Sequence, residues 1–313
     1  MINYNKYIKR QETRQKIVSY LKSKHIATQS VSFSLPNSLF RYSGLNEYLI
    51  DNLEKGTLTL SNPILFNDIY DASLHRNSFE NRCAEEQERI DLLKVFGVSE
   101  EAISFEKLRA EAEHEDRFLS QYMKEAFRVG CLSEDNCSIL MWSHYAHNNQ
   151  GICIEYDLSE TGIQPFMFPV IYVPNPIDCS DLCDTSVESF DIDLATLLST
   201  IIKSDVWKYE KEWRMILYYP AHINSEERKR VHALVPKPKA IYLGRNFLQF
   251  WIDNKRNEDY SLLTRLCKYI ADNNIPTYVM KNKLLSYELY PETIDIECVQ
   301  RLNEGELYEK YLV

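Results

Sequence analysis

The chain of 313 residues is 44% hydrophobic and 12% aromatic, which is enough to build a substantial core in one large domain or two. Its 46 acidic side chains against 36 lysines and arginines give a formal net charge of -10. This charge disfavours non-specific binding to nucleic acid or to anionic membranes. A small phosphate-bearing ligand held by one or two arginines remains compatible with it.

Several common sites are not expected. The eight cysteines form no CxxC pair, so neither a disulfide framework nor a metal site is predicted. No GxxxxGK[ST] or GxGxxG motif offers a phosphate-cradling glycine loop. No segment reaches the roughly 20 apolar residues of a membrane span, and the first residues lack a signal-peptide apolar run. We therefore expect a soluble, cytoplasmic protein without membrane contact.

The first part of the chain predicts a peripheral helix and then a strand, helix, strand unit. Residues 1–30 form the N-terminal helical segment, and Gly56 is placed to end the second helix. The expected elements are a helix over 4–24, a strand over 39–42, a helix over 46–53, a strand over 57–61 and a turn-forming loop over 62–71. Residues 78–128 are rich in helix formers, so they predict two or three inserted helices.

The second part alternates short strands with helices. The expected elements are strands over 129–133, 151–156, 168–173, 207–219, 240–244 and 277–280, helices over 138–147, 194–203 and 260–273, and an acidic loop over 178–193. The strand over 168–173 is expected to pair with the one over 151–156. Together these elements predict a single α+β domain over residues 31–313, with a mixed or antiparallel central sheet, flanking helices and the helical insertion.

The predicted strand over 207–219 carries charges in one register. Alternation along a strand places Glu210, Glu212 and Arg214 on one face. The opposite face is apolar and contains Tyr209, Trp213, Met215 and Leu217. The charged face is either a solvated surface or one wall of a site.

The helix over 138–147 combines aromatic rings with imidazoles. Helical spacing places Trp142 and Tyr145 on one side and His144 and His147 on another. An aromatic shelf beside an imidazole suits a planar ring ligand. The alternative is that Trp142 and Tyr145 are core residues and His147 lies on the surface.

Arg41 lies in an apolar strand, where an unpaired guanidinium is costly to bury. Two uses remain open: a structural ion pair with Glu210 or Glu212, or binding of a ligand's phosphate. Asn67, Asp68 and Asp71, in the loop after the second strand, either cap a helix or supply a carboxylate to a cleft, and Asp68 is the one selected as a site residue.

Five ordered motifs resemble the bacterial domain-of-unknown-function family 2971, over roughly residues 38–290. They are Phe40-Arg41-Tyr42, Leu60-Ser61-Asn62-Pro63 with Phe66-Asn67-Asp68-Ile69-Tyr70-Asp71, Met141-Trp142-Ser143-His144-Tyr145-Ala146 with Gly151-Ile152-Cys153-Ile154, Trp207-Lys208-Tyr209-Glu210-Lys211-Glu212-Trp213-Arg214, and Ile241-Tyr242-Leu243-Gly244. Ile69 stands where the family usually has proline. The family implies no established activity.

The order of an arginine, a serine and a Glu-x-Glu strand is also similar to that of NAD-using ADP-ribosyltransferases. That similarity implies that Arg41 binds the cofactor phosphates, that Ser61 braces the site and that Glu212 stabilises the ribosyl oxocarbenium ion. It further implies that Trp142 or Tyr145 stacks on the nicotinamide. Glu210 would orient the acceptor.

Two functional hypotheses follow. The first is a nucleotide- or NAD-dependent transferase that acts as a toxin or phage-defence effector and takes a small nucleotide-like ligand. The second is a non-catalytic ligand- or protein-binding regulatory module, in which Arg41, Arg214 and the two glutamates form a structural network. Candidate catalytic residues are Glu212, Glu210 and His144; candidate ligand-binding residues are Arg41, Ser61, Asp68, Trp142, Tyr145 and Arg214.

Overall fold

A mixed β-sheet with flanking helices forms the centre of the molecule, which confirms the predicted α+β class. The structure is a computed structural model, and it describes residues 10–26, 33–73, 75–97, 104–158, 162–218, 230–253 and 260–294. In the described part of the chain, no helix is both long enough and apolar enough to cross a bilayer.

The helices are α1 (Arg10–Ser23), α2 (Glu47–Lys55), α3 (Ser78–Val95), α4 (Phe105–Ala126), α5 (Ile139–Tyr145), α6 (Ser180–Cys183), α7 (Ile192–Ile201), α8 (Phe247–Asp253) and α9 (Tyr260–Asn273). The strands are β1 (Leu39–Ser43), β2 (Thr57–Ser61), β3 (Phe127–Ser133), β4 (Ile152–Tyr156), β5 (Met167–Pro169), β6 (Ile171–Val173), β7 (Ile202–Ser204), β8 (Glu212–Tyr218), β9 (Arg230–Leu234), β10 (Ala240–Leu243), β11 (Thr277–Asn282) and β12 (Leu289–Thr293). Short 3-10 turns cover Pro63–Leu65, Gln164–Phe166 and Asp205–Glu210.

The large sheet is split beside β3. Its strand order is β12-β11-β10-β4-β1-β3-β2-β9, and β8 pairs along the whole of β3. Because β8 occupies one edge of β3, the strands β1 and β2 share the other. There β1 pairs only at Phe40 with Ser133, and β2 pairs only at Ser61 with Val129. The two strands therefore diverge, and a wedge opens between them.

Apolar packing on both sides of the sheet explains the helix positions. On one side α2 buries Leu49, Ile50 and Leu53 against the same cluster that contains residues of α9. Asn46 caps the start of α2, and Gly56 ends it in the left-handed conformation at φ 62°. On the other side, α1 and α7 pack in a second cluster.

The N-terminal helical pattern gives a helix that begins at Arg10, and residues 1–9 and 27–30 of that segment lie outside the described residues. Ile17 and Leu21 of this helix are fully buried. The predicted helical insertion is confirmed as two helices, α3 and α4.

The predicted long strand over 207–219 is wrong in its first half. A 3-10 turn over Asp205–Glu210 precedes the strand, and β8 begins only at Glu212. Between them Lys211 has φ 45°, in the left-handed region. A residue in that conformation cannot continue an extended strand, so Glu210 and Glu212 do not share a strand face.

The predicted pairing of 168–173 with 151–156 is also wrong. The two edges of β4 are taken by β1 and β10, so no third strand can pair with it. Instead β5 pairs with β8, and β6 pairs with β7. The predicted helix over 194–203 ends at Ile201, and β7 then carries Lys203 toward the site.

Candidate functional site

A cleft of about 510 Å³ lies at the split in the sheet; we call it the main cleft. Strands β1 and β3, helix α5 and the turn before β8 line it. Its lining residues are Phe40, Arg41, Tyr42, Ser43, Gly44, Ser61, Leu65, Phe66, Asn67, Asp71, Cys131, Leu132, Ser133, Met141, His144, Tyr145, Lys203, Glu210, Glu212 and Arg230. A volume of this size is typical of small-molecule sites.

One end of the main cleft is built on a buried ion-pair cluster, formed by Asp71, Lys203, Glu210, Glu212 and Arg214. Each member is at most 7% exposed. Buried charges of both signs stabilise one another only where geometry is close and hydrogen bonds are complete. The cluster meets that condition at its arginine.

Arg214 uses all five of its N–H groups and is 0% exposed. Its two terminal nitrogens donate to the two carboxylate oxygens of Asp71, at 2.7 Å each. Its Nε and one terminal nitrogen donate to Glu212 at 2.9 and 3.0 Å. The fifth N–H donates to the carbonyl of Thr200 at 2.6 Å. Arg214 is therefore saturated and lies behind the wall of the main cleft.

Lys203 connects the cluster to the main cleft. Its ammonium donates to Glu210 Oε2 at 2.6 Å and to Glu212 Oε2 at 3.2 Å, and it lies 3.5 Å from Asp71 Oδ2. Burial alone would lower the pKa of Lys203, but the surrounding carboxylates, Glu212 first, raise it. Lys203 therefore stays charged and holds the three carboxylates of Asp71, Glu210 and Glu212 close together.

The two glutamates have opposite pKa shifts. Burial raises the pKa of Glu210, which lies beside one ammonium only. Burial would also raise the pKa of Glu212, but the charges of Arg214 and Lys203 outweigh it and lower the pKa to about 2. When every member is ionised, three carboxylates face two cations, so one negative charge is in excess. Glu210 is the group that takes a proton when that excess is relieved.

Helix α5 brings its polar groups to the same end. Tyr145 donates its hydroxyl to Glu210 Oε1 at 2.6 Å. His144 is exposed, and its Nδ1 lies 3.2 Å from the hydroxyl of Tyr209. Ser138 begins α5 as its N-cap, so the aromatic residues fall one turn into the helix. The rings of His144 and Tyr145 and the carboxyl group of Glu210 thus line the same cleft.

Arg41 lines the main cleft from β1 and is half-buried. Its Nη1 donates to the backbone carbonyl of Cys131 at 2.7 Å, on the edge of β3 that β1 and β2 leave open. Among the described residues it forms no ion pair, so the predicted alternative of a structural bond to Glu210 or Glu212 is wrong. Arg230 also lines the main cleft and packs over the ring of Tyr48 at 5.3 Å.

The structure brings together six of the predicted site residues along the main cleft: Arg41, Ser61, His144, Tyr145, Glu210 and Glu212. The other three do not line it. Trp142 is 0% exposed and donates its indole N–H to the carbonyl of Asn136. Arg214 lies behind the wall, and Asp68 accepts a hydrogen bond from the backbone of Tyr70 in a local turn.

Sequence reasoning missed Lys203 and Arg230 and chose Asp68 where the structure uses Asp71 at the cleft wall. Lys203 sits at the junction of α7 and β7, where no periodic pattern marks it. Asp71 shares the loop of Asp68, and its burial at 3% exposure is the property that separates the two. Motif spacing alone carries no signal of that burial.

One family model matches part of the chain. Residues 141–215 match the family described as "Protein of unknown function (DUF2971)", which confirms the resemblance seen in the sequence motifs. The matched segment runs from Met141 in α5 to Met215 in β8 and contains four of the five ion-pair cluster residues. No curated protein and no solved structure matches the chain.

Proposed function

We propose that the main cleft binds a nucleotide, with NAD as the cofactor, and supports transfer of its ADP-ribosyl group. The observation that carries this proposal is that two sets of charges line the cleft. Carboxylates in excess of cations form one set, and arginines without carboxylate partners among the described residues form the other. The arginines also line a neighbouring hollow that no residue of the ion-pair cluster lines, so we place them toward a different end of the cleft from the cluster. A ligand with a cationic ring and a phosphate matches both sets.

The arginine end accounts for the phosphate. Arg41 donates one N–H to a backbone carbonyl. A guanidinium has five N–H donors, so the other N–H groups are available to a ligand in the cleft. Guanidinium groups bind phosphate oxygens through paired, charge-assisted hydrogen bonds. Ser61 lies beside Arg41 in the cleft lining and offers a hydroxyl to the same oxygens.

The cluster end accounts for the ring and the chemistry. A pyridinium ring placed against Tyr145 meets the excess negative charge, and it favours the ionised form of Glu210. When the bond between the ribose and the nicotinamide nitrogen breaks, its electron pair leaves with the neutral nicotinamide. Positive charge then develops on the ribose, and a carboxylate stabilises it.

This assignment gives the central role to Glu210 rather than Glu212. Both oxygens of Glu212 accept hydrogen bonds from buried cations, whereas Oε1 of Glu210 accepts from the neutral hydroxyl of Tyr145. Glu210 has a raised pKa and contacts a tyrosine that itself lines the cleft. Glu212 then positions Lys203, and Lys203 positions Glu210.

A binding module without catalysis is the second candidate. The observation that favours it is the saturation of Arg214 and Glu212, since such a network holds strands together without any substrate. In that case the main cleft binds its ligand and releases it unchanged.

Nucleotide binding is tested by thermal melts of the parent, Arg41→Gln and Arg117→Gln with and without NAD. Arg117 is an exposed arginine of α4 and serves as the matched control for loss of one charge. We expect NAD to raise the melting temperature of the parent and of Arg117→Gln, because a ligand that binds only the folded state stabilises it. The rise should vanish in Arg41→Gln. Equal shifts in all three proteins would contradict the phosphate assignment.

Catalysis is tested by release of nicotinamide from NAD by the parent and by Glu210→Gln. The transferase proposal expects release by the parent and a loss of at least about a hundredfold in the variant, as for other groups that stabilise transition-state charge. Binding of NAD without any turnover would favour the second candidate. Growth of bacteria that express either protein tests the effector role in toxicity.

A further inference from the structure

A second, smaller hollow of about 190 Å³ adjoins the main cleft; we call it the small hollow. It occupies the wedge between β1 and β2, and it shares four lining residues with the main cleft: Arg41, Ser43, Ser61 and Arg230. The two arginines thus stand at the boundary between the two spaces. The sheet split and the shared residues make the spaces parts of one elongated site.

None of the described residues that line the small hollow is acidic. Apart from the two arginines it consists of hydroxyl and amide groups with a few apolar contacts: Ser43, Asn46, Tyr48, Leu49, Asn52, Thr57, Leu58, Thr59, Ser61 and Tyr156. This composition is the reverse of the ion-pair cluster at the far end of the main cleft. Among these described residues, an anion entering the small hollow meets two cations and neutral donors.

Part of this lining is held in place by its own hydrogen bonds. Asn52 donates to Thr59 Oγ1 at 2.8 Å, and Thr57 donates to Asn52 Oδ1 at 3.0 Å. These bonds join α2 to β2 across the floor of the wedge. Fixed hydroxyl groups of this kind suit a ligand rich in hydroxyls, such as a sugar, because their orientation costs little on binding.

We propose that the small hollow is the second subsite of this ligand, and that it takes the part of NAD that lies beyond the first phosphate. One phosphate binds Arg41, the next binds Arg230, and the sugar beyond them occupies the small hollow. This inference rests on the proposed function and assigns the place of each half of the ligand: a mononucleotide fills the main cleft only, whereas NAD reaches both spaces. Arg230 is then a specificity-determining residue that distinguishes ligands with one phosphate from ligands with two.

The test compares nicotinamide mononucleotide, with one phosphate, and NAD, with two, by titration calorimetry. The proteins are the parent, Arg230→Gln and Arg230→Lys. Because Arg230 is exposed at the start of β9, its loss should leave the fold intact, and thermal melts without ligand verify this. We expect Arg230→Gln to weaken NAD binding about tenfold, equal to about 1.4 kcal/mol, and to leave mononucleotide binding unchanged. Arg230→Lys, which keeps the charge, should recover most of the affinity for NAD.

Two results would overturn the second subsite and leave the proposed function standing. One is an equal loss of affinity for both ligands in Arg230→Gln, which would place Arg230 at the first phosphate. The other is no change for either ligand while Arg41→Gln still abolishes binding. If the parent binds neither ligand, the proposed function and the second subsite both fail.

Discussion

Two arginines within the same split sheet have opposite environments. Arg214 on β8 is 0% exposed and uses every N–H on protein acceptors. Arg41 on β1 is half-buried, contacts one backbone carbonyl and faces the main cleft. A saturated cation holds the fold together, whereas a cation with donors to spare is available to a ligand. Residue type alone does not separate the two, but the count of acceptors does.

The largest expected effect comes from replacing Arg214. Arg214→Met leaves Asp71 and Glu212 buried without their main partner, so we expect the free energy of unfolding to fall by roughly 3 to 5 kcal/mol. Arg41→Met, the matched substitution, removes one hydrogen bond and should cost roughly 1 kcal/mol. Urea unfolding of both variants measures the difference. Similar losses in the two would remove the distinction between a structural and an available arginine.

The two glutamates test the same distinction between a structural group and a group available to a ligand. Glu212→Gln should lower the free energy of unfolding by roughly 3 kcal/mol at neutral pH, since it breaks bonds to two buried cations. Glu210→Gln should leave stability unchanged or raise it slightly, because burial penalises its ionised form. The amide can still accept from Lys203 and donate to the hydroxyl of Tyr145.

The dependence on pH follows from the direction of each shift. The pKa of Glu212 is lowered from 4.5 to about 2 in the fold, so its contribution is present above pH 4.5 and disappears as the pH falls toward 2. The parent and Glu212→Gln should therefore converge in stability across that window. The pKa of Glu210 is raised, so its favourable contribution is present at low pH and is lost as the pH rises through the raised value. Unfolding measured from acid to neutral pH would contradict this assignment if the two trends were reversed.

A smaller effect is expected at Tyr145. Tyr145→Phe removes the hydroxyl that donates to Glu210 at 2.6 Å, which should cost about 1 kcal/mol of stability. Because that hydrogen bond lowers the pKa of Glu210, its loss should raise this pKa further. Carboxyl titration by nuclear magnetic resonance checks the direction. A lower pKa in the variant would show that the hydroxyl does not bond the carboxylate in solution.

The smallest effect is expected at Arg265. This arginine contacts three acids of α2, namely Glu47, Asp51 and Glu54, yet all four side chains are solvent-exposed to at least a third. Exposed ion pairs are screened by water and salt and add little stability. We expect Arg265→Ala to leave the unfolding midpoint unchanged within error, above all at high salt. A loss as large as that of Arg214→Met would show that burial is not what separates the two networks.

Much of the fold was accessible from the sequence because local patterns agreed with the tertiary structure. The bounds of α9 were predicted as Tyr260–Asn273, and Gly56 ends α2 as its position indicated. The shared face of Glu212 and Arg214 was also predicted, and their side chains are hydrogen-bonded. Alternation in a strand and capping at a helix end depend on neighbours in the chain, so they can be read from it.

The missed features depend on contacts between distant residues. Lys203 meets Asp71 only because β7 and the loop after β2 converge in the fold. Trp142 points into the core, since the helix rotation that decides this is set by packing against Tyr42. The split beside β3 follows from the registers in which β1, β2 and β8 pair with it. No local sequence pattern in any one of these strands predicts it.

The left-handed residue Lys211 has a consequence for the two acids that flank it. In a continuous strand, side chains two residues apart point to the same face of the sheet. Both glutamates would then have had the same neighbours. The left-handed conformation of Lys211, at φ 45°, interrupts this alternation. Both acids stay buried, but Glu212 contacts two cations, Arg214 and Lys203, whereas among the described cations Glu210 contacts Lys203 alone. A single backbone torsion has thus turned a repeated residue into two chemically different groups.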